Sequence, residues 1–293
     1  MKYTLTLIGN STTRLTDELV AGAGGTLPNS SAPDWLNQGI ACDVTFEADE
    51  TKATEAALRT KFANVKIDIA IQPSDNRRKL LLVADMDSTI IEQECIDELA
   101  AELGLKDKIS DITARAMRGE IAFEPALRER VGLLKGLPLA SLESVYKNRI
   151  TEMPGGRTLT ATMRKHGAYC ALVSGGFTFF TERVATSVGF DTNRANTLLF
   201  TDGKLSGEVR EPILGKQAKI DTLVELRDAR KLPHHATLAV GDGANDLGMI
   251  EEAGLGVALH AKPIVAEAAD ARIDHGDLTS LLYLQGYKMS EFA

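Results

Sequence analysis

The chain is short of cysteine, of aromatic side chains and of net positive charge, and it contains no long apolar run. Each shortage excludes a class of protein. Cys42, Cys95 and Cys170, the only 3 cysteines among 293 residues, are odd in number and far apart. They form neither a disulfide framework nor a zinc-ligand spacing, and they read as small buried residues of a reducing compartment. No stretch approaches the ~20 apolar residues that a membrane-spanning helix needs. The N-terminal MKYTLTLIGNSTT has no apolar signal core and no small-residue cleavage site. A soluble, cytoplasmic protein is expected. The formal net charge of −8 disfavours a nucleic-acid backbone or an anionic membrane as partner. One basic cluster, Arg77-Arg78-Lys79, is short and precedes a predicted strand, so it reads as a solvated linker. The 5 histidines are scattered, apart from His234-His235 after Pro233, and give no support to a histidine-based site.

What is present suffices for a large core, with 44% apolar residues, and for two domains of roughly 100–150 residues each. Residues 1–75 read as one unit. YTLTLIG (3–9), GIACDVTFEA (39–48) and VKIDIAIQ (65–72) alternate as strands, while TRLTDELVAGAG (13–24) and TKATEAALRTKF (51–62) have helical patterns. A further strand is weakly written between 24 and 38. The order β-α-(β)-β-α-β suggests a small ferredoxin-like α+β domain. In pattern it resembles the ACT-type domains that precede metabolic enzymes. PSDNRRK (73–79) then reads as a linker.

From residue 80 to 293 strands alternate with helices. LLLVA, AYCALV (168–173), ATLAV (236–240), LGVAL (255–259) and ARI (271–273) are short apolar runs. They predict an α/β domain, a Rossmann-like three-layer arrangement with a parallel sheet covered on both faces. Ligands of such sheets bind beyond the carboxyl ends of the strands. Between about 92 and 150 only helical patterns occur, which reads as a helical cap inserted after the first strand. TLLFTDGKLSGEV (197–209), with Asp202-Gly203 between strand-like segments, predicts a β-hairpin.

The chemistry starts where LLLVA runs into Asp85 and Asp87 in DMDST. Two close carboxylates repel unless a cation neutralises one or a proton the other. Magnesium suits such a site, being satisfied by one or two carboxylates, waters and a phosphate. One aspartate can then stay ionised as a nucleophile while the other moves protons. An isolated DxD is more often a solvated turn, but three further signals fall at the same predicted sheet edge. Ser174-Gly175-Gly176 follows a strand and precedes a helix, a position suited to phosphate. GDGAND (241–246) places Asp242, Asn245 and Asp246 at another strand tip. GKQAKIDTL (215–223) supplies Lys216 and Lys219 at a helix start.

DMDST, Ser174, Lys219 and GDGAND, in that order, resemble the four motifs of the haloacid dehalogenase-like phosphohydrolases. Within that superfamily, DMDSTIIEQECIDELA (85–100), AMRGEIAFEPALRERVGLLKG (116–136), SGGFTFF (174–180) and GDGANDLGMI (241–250) are similar to the phosphoserine phosphatase family. The resemblance implies a phosphatase that uses Mg2+ and hydrolyses O-phosphoserine through an aspartyl-phosphate. It implies Asp85 as nucleophile and Asp87 as acid and base. It implies magnesium held by Asp85, the backbone carbonyl of Asp87 and Asp242, with Asp246 supporting. Ser174, the Gly175 amide, Lys219 and Asn245 are implied to bind phosphate or substrate, Lys219 being preferred to Lys216 on helix register. In the cap, Glu94 is implied for the substrate ammonium, Arg130 for its carboxylate, and Phe123 as a cover that excludes water. A phosphatase or phosphotransferase for another small phosphomonoester stays open. So does the task of residues 1–75, whether amino-acid binding, homodimer formation or stabilisation.

Overall fold

Alternation along an antiparallel strand sends successive side chains to opposite faces, and the N-terminal unit uses both. The computed structural model describes residues 1–117 and 120–293. Strand β1 (Lys2–Ile8), helix α1 (Asp17–Gly24), β2 (Asp34–Asn37), β3 (Ala41–Glu47), α2 (Lys52–Lys61) and β4 (Asp68–Pro73) follow one another, and the strands pair antiparallel in the order β2-β3-β1-β4. Leu5, Leu7, Val44, Phe46, Ile69 and Ile71 pack with Val20 of α1 and Leu58 of α2. Ile8, Leu36, Ala41 and Ala70 join the main core instead. The weakly written strand is β2, whose pairing slips between Trp35 and Asn37, so its alternation is too short to show. Helix α1 starts later than its pattern suggests because the Thr16 hydroxyl accepts the Leu19 amide and caps it there.

The main unit continues with β5 (Leu81–Ala84), α3 (Cys95–Glu102), α4 (Lys106–Met117), α5 (Phe123–Leu133), α6 (Leu139–Arg149), α7 (Gly156–Lys165), β6 (Tyr169–Phe177), α8 (Thr178–Val188) and β7 (Thr192–Asn196). A hairpin of β8 (Leu198–Thr201) and β9 (Lys204–Val209) precedes α9 (Lys216–Ala229). Then come β10 (Thr237–Gly241), α10 (Leu247–Glu252), β11 (Gly256–Leu259), α11 (Pro263–Ala268), β12 (Ala271–Ile273) and α12 (Ser280–Leu284). Six strands form a parallel sheet in the order β12-β11-β10-β5-β6-β7. Leu82 and Ala84 of β5 face one core, Leu81 and Val83 the other. A strand buried on both faces needs the unbroken apolar run that made it legible. Strand β7, TNRAN, lies at the sheet edge and is polar, and its sequence gave no strand signal.

From β5 the chain moves outward to β6 and β7, then returns to β10 on the other side of β5. That reversal opens a crevice beyond the carboxyl ends of β5 and β10. Helices α3 to α6 lie between β5 and β6 in sequence, and Leu99, Leu127, Val131, Leu142 and Val145 bury their apolar stripes. Asp202 and Gly203, at φ 49° and 74°, make the hairpin turn. Residues 136–139 of the cap pair with this hairpin: the Gly136 amide donates to Leu205 O at 2.8 Å, and the Leu205 amide to Leu137 O at 2.8 Å.

Of the basic cluster, only Arg78 is exposed as expected. Arg77 pairs with Asp43 at 2.6 Å and donates to the Tyr283 and Leu284 carbonyls, while Lys79 is buried against the Asn76 and His235 carbonyls. The cause is that the segment crosses between the N-terminal sheet and the C-terminal end of the chain, where backbone carbonyls need donors. Asp68 at the start of β4 completes the junction. Its carboxylate accepts the amides of Asp274 at 2.7 Å, His275 at 3.0 Å and Gly276 at 2.7 Å. Removing that acceptor leaves several amides without partners. Asp68→Ala is therefore expected to lower the unfolding free energy by about 3 kcal/mol. A urea midpoint that does not move would refute this role.

Candidate active site

The β5 ladder runs one residue past the strand, because the Asp85 amide donates to Val240 O at 3.0 Å. The chain then turns sharply: the Ile90 and Ile91 amides both donate to Met86 O, and Ser88 adopts a left-handed φ of 56°. This turn separates the two carboxylates by partner. Asp85 is buried, with Oδ1 at 2.6 Å from Lys219 Nζ. Asp87 Oδ1 accepts the Cys95 amide at the start of α3, at 2.9 Å, and its Oδ2 accepts the Ser174 hydroxyl at 2.9 Å.

Ser174-Gly175-Gly176 is placed differently from expectation. Strand β6 extends through Phe177 with irregular pairing to β7 between Val173 and Phe177, and α8 begins only at Thr178. These residues are an irregular strand end, not a helix N-terminus. The extension is what carries Ser174 alongside Asp87. The Gly176 amide donates to Ser174 Oγ at 2.8 Å, and a Cβ at Gly176 would stand 3.0 Å from both Asp87 Oδ2 and Ser174 Oγ. Glycine keeps that approach open.

Of the two lysines, Lys216 is exposed at the helix start, and Lys219, one turn on, is buried. Lys219 Nζ lies 2.5 Å from Asp246 Oδ1 as well as 2.6 Å from Asp85. Burial alone would lower this ammonium's pKa; the charges of Asp85 and Asp246 outweigh it and hold it above the usual lysine value. Asp246 folds back so that Oδ2 accepts the Gly243 amide at 3.0 Å, and any Cβ at Gly241 would collide with it. Asp242 is half-buried and Asn245 exposed at the same strand tip.

Carboxylate oxygens of Asp85, Asp242 and Asp246 lie within 4.8 Å of one another. Burial, then the Asp246 charge, pushes the Asp85 carboxyl well above the usual range, and the same two causes push Asp242 up to about 6. One ammonium among these carboxylates leaves excess negative charge on an all-oxygen donor set. Such a set fits a hard divalent cation. The Asp87 carboxylate is outside this cluster, so any Asp87 ligation falls to its backbone carbonyl. Asp246, expected in a supporting position, contributes an oxygen to the cluster itself.

The cap residues gather above the same crevice. Glu94 precedes α3 and accepts the Ser88 hydroxyl at 2.9 Å. It stays open to solvent, yet the surrounding protein, then the Asp87 charge, push its carboxyl up to about 7. The Phe123 ring lies 3.4 Å from a Cβ position on Gly175 and 3.3 Å from one on Gly215, between the β6 end and the α9 start. Arg130 on α5 donates through Nε to Ala126 O at 3.2 Å and through Nη1 to Thr113 Oγ1 at 3.1 Å. Asn196 was not anticipated. It is buried at the end of β7, where Nδ2 donates to the Gly175 and Leu214 carbonyls at 2.9 and 3.1 Å, and Oδ1 accepts the Leu214 amide at 2.7 Å. An asparagine in a polar edge strand carries no periodic signal, so only its partners reveal it.

Comparison with known proteins accords with this geometry. The haloacid dehalogenase-like hydrolase family matches residues 82–251. A phosphoserine phosphatase of Archaeoglobus fulgidus is 43% identical over 226 residues, covering 76% of this chain and 65% of the relative. The chain thus spans just under two thirds of that protein's length. A phosphoserine phosphatase of Saccharomyces cerevisiae is 34% identical, over 99% of this chain and 98% of its own. The crystal structure of a HAD family hydrolase from Salmonella enterica serovar Typhi superposes with a TM-score of 0.87 at 31% identity, covering 97% of this chain and 98% of that one. With more than half of its length matched by the family and nearly all of it by a relative 34% identical, the chain belongs to the haloacid dehalogenase-like hydrolases.

Proposed function

We propose that this hydrolase is a magnesium-dependent phosphoserine phosphatase, converting O-phospho-L-serine to L-serine and phosphate as the last step of serine biosynthesis in the cytoplasm. The observation that carries the reading is the Asp85 carboxylate, held at 2.6 Å by a buried ammonium at the sheet crevice, beneath a cap that offers both a carboxylate and a guanidinium. A phosphate ester bearing an ammonium and a carboxylate complements that set. The phosphoserine phosphatases among its relatives support the same choice.

Asp85 attacks phosphorus: an Asp85 O–P bond forms as the ester O–P bond breaks. Asp87 gives its proton to the departing serine oxygen. It then takes a proton from the water that attacks the aspartyl-phosphate, releasing phosphate and restoring Asp85. Lys219, Ser174 and the Gly175 amide face the phosphoryl oxygens, where charge stabilisation supplies most of the acceleration. Asn245 contacts phosphate or substrate from the opposite strand tip. Asp246 keeps Lys219 in place. Magnesium, when bound, would be held by Asp85, the Asp87 carbonyl and Asp242, and would supply positive charge to offset the clustered carboxylates. Glu94 takes the substrate ammonium, Arg130 its carboxylate through a forked contact, and Phe123 closes over the site. Residues 1–75, with their own apolar cluster, form a separate ACT-like domain in this reading, and 80–293 the phosphatase domain with its cap.

Asp85→Asn is expected to reduce phosphate release by at least about a thousandfold while phosphoserine binding by calorimetry changes little. Substantial residual turnover would remove Asp85 as the nucleophile. Chelation should abolish phosphate release and added Mg2+ restore it; activity that survives thorough chelation would sink the metal assignment. Arg130→Ala should raise KM for phosphoserine by about tenfold or more, with little effect on phosphoethanolamine, which lacks the carboxylate. Equal losses on both substrates would refute a carboxylate-binding role.

A further inference from the structure

Arg130 is a long, flexible side chain asked to present a planar fork, and the entropy of such a side chain works against a fixed pose. The structure holds it at two points. Nε is tied to the Ala126 carbonyl of its own helix at 3.2 Å, and Nη1 to Thr113 Oγ1 of the neighbouring helix α4 at 3.1 Å. The Thr113 hydroxyl donates in turn to Ile109 O at 3.1 Å, so its one proton is committed and a lone pair is left facing the guanidinium. Among the described residues, Nη2 has no hydrogen-bond partner. Two of the three nitrogens are therefore anchored by the cap, and the third keeps its donors for something else. The carboxylate of Glu94, across the same space, is held by the Ser88 hydroxyl at 2.9 Å. Each of the two opposite charges in the cap cleft is thus set by a hydroxyl from another segment.

We infer that Thr113 is a specificity-positioning residue: its hydroxyl fixes the Arg130 guanidinium across the α4–α5 contact so that the Nη2 edge meets the substrate carboxylate. Thr113 touches neither phosphate nor the reacting atoms and acts through Arg130. The inference rests on the reading of Arg130 given above. Burial works against the Arg130 charge and holds its pKa below the usual value; the charges of Asp97 and Glu94 oppose that but make no hydrogen bond that would fix its plane.

The test compares wild type with Thr113→Val, which keeps the shape and removes the hydroxyl, and Thr113→Ser, which keeps the hydroxyl. Full-length enzyme is assayed with Mg2+ on phosphoserine and on phosphoethanolamine, and thermal midpoints are recorded for all three. The expected result is a KM for phosphoserine raised about tenfold in T113V, with kcat little changed, phosphoethanolamine kinetics unaltered and T113S close to wild type. Equal losses on both substrates, or a T113S as impaired as T113V, would overturn the positioning role. A wild type that does not favour phosphoserine over phosphoethanolamine would instead overturn the reading of Arg130, and the role of Thr113 with it.

Discussion

The site depends on one buried contact set, the Lys219 ammonium between the Asp85 and Asp246 carboxylates. An uncompensated charge in a protein interior costs several kcal/mol, and breaking a buried pair leaves that penalty exposed. Here the three groups come from three elements: the tip of β5, the second turn of α9 and the start of α10. Their mutual need fixes where the strand ends and the helix stand relative to one another. The second carboxylate of the first motif escapes this cluster because the chain reverses at Ser88, and it is drawn instead to the Cys95 amide and the Ser174 hydroxyl. Separation of the two aspartates by their partners is what gives them different chemical surroundings.

The doubly covered sheet explains much of what the sequence made readable. Strands buried on both faces must be apolar throughout, so β5, β6, β10 and β11 announced themselves, and the acids just past β5 and β10, with the serine in the irregular end of β6, marked the crevice edge. The amphipathic stripes of α3 to α6 did the same for the cap. What stayed hidden was polar and set by tertiary contact. TNRAN is a strand because β6 offers it a ladder, not because its residues prefer one. Asn196 at its end binds backbone groups of two other segments, a connection no spacing encodes.

Two local misreadings share a cause. Ser174-Gly175-Gly176 looks like a turn because glycine and serine favour turns, yet β6 continues through it, and small residues are there to admit Asp87. Arg77 and Lys79 look solvated because charged residues usually are, yet the path of the chain takes them between two packed units, among carbonyls in need of donors. In both cases the local propensity was real and the surroundings decided otherwise. The choice between Lys216 and Lys219, by contrast, was a matter of depth along one helix face, since residues three apart are neighbours on a helix. A single turn decides which amine points inward.

The grip of Asp68 and Arg77 on the last part of the chain bears on how the polypeptide matures. One face of the N-terminal sheet, with Ile8, Leu36, Ala41 and Ala70, is covered by packing that includes Leu281, Leu282 and Leu284 near the C-terminus. The N-terminal unit therefore lacks one wall until residues 281–284, more than two hundred positions later, have been made. Its apolar face stays open over that interval of elongation, and α12 acts as the bolt that seals it.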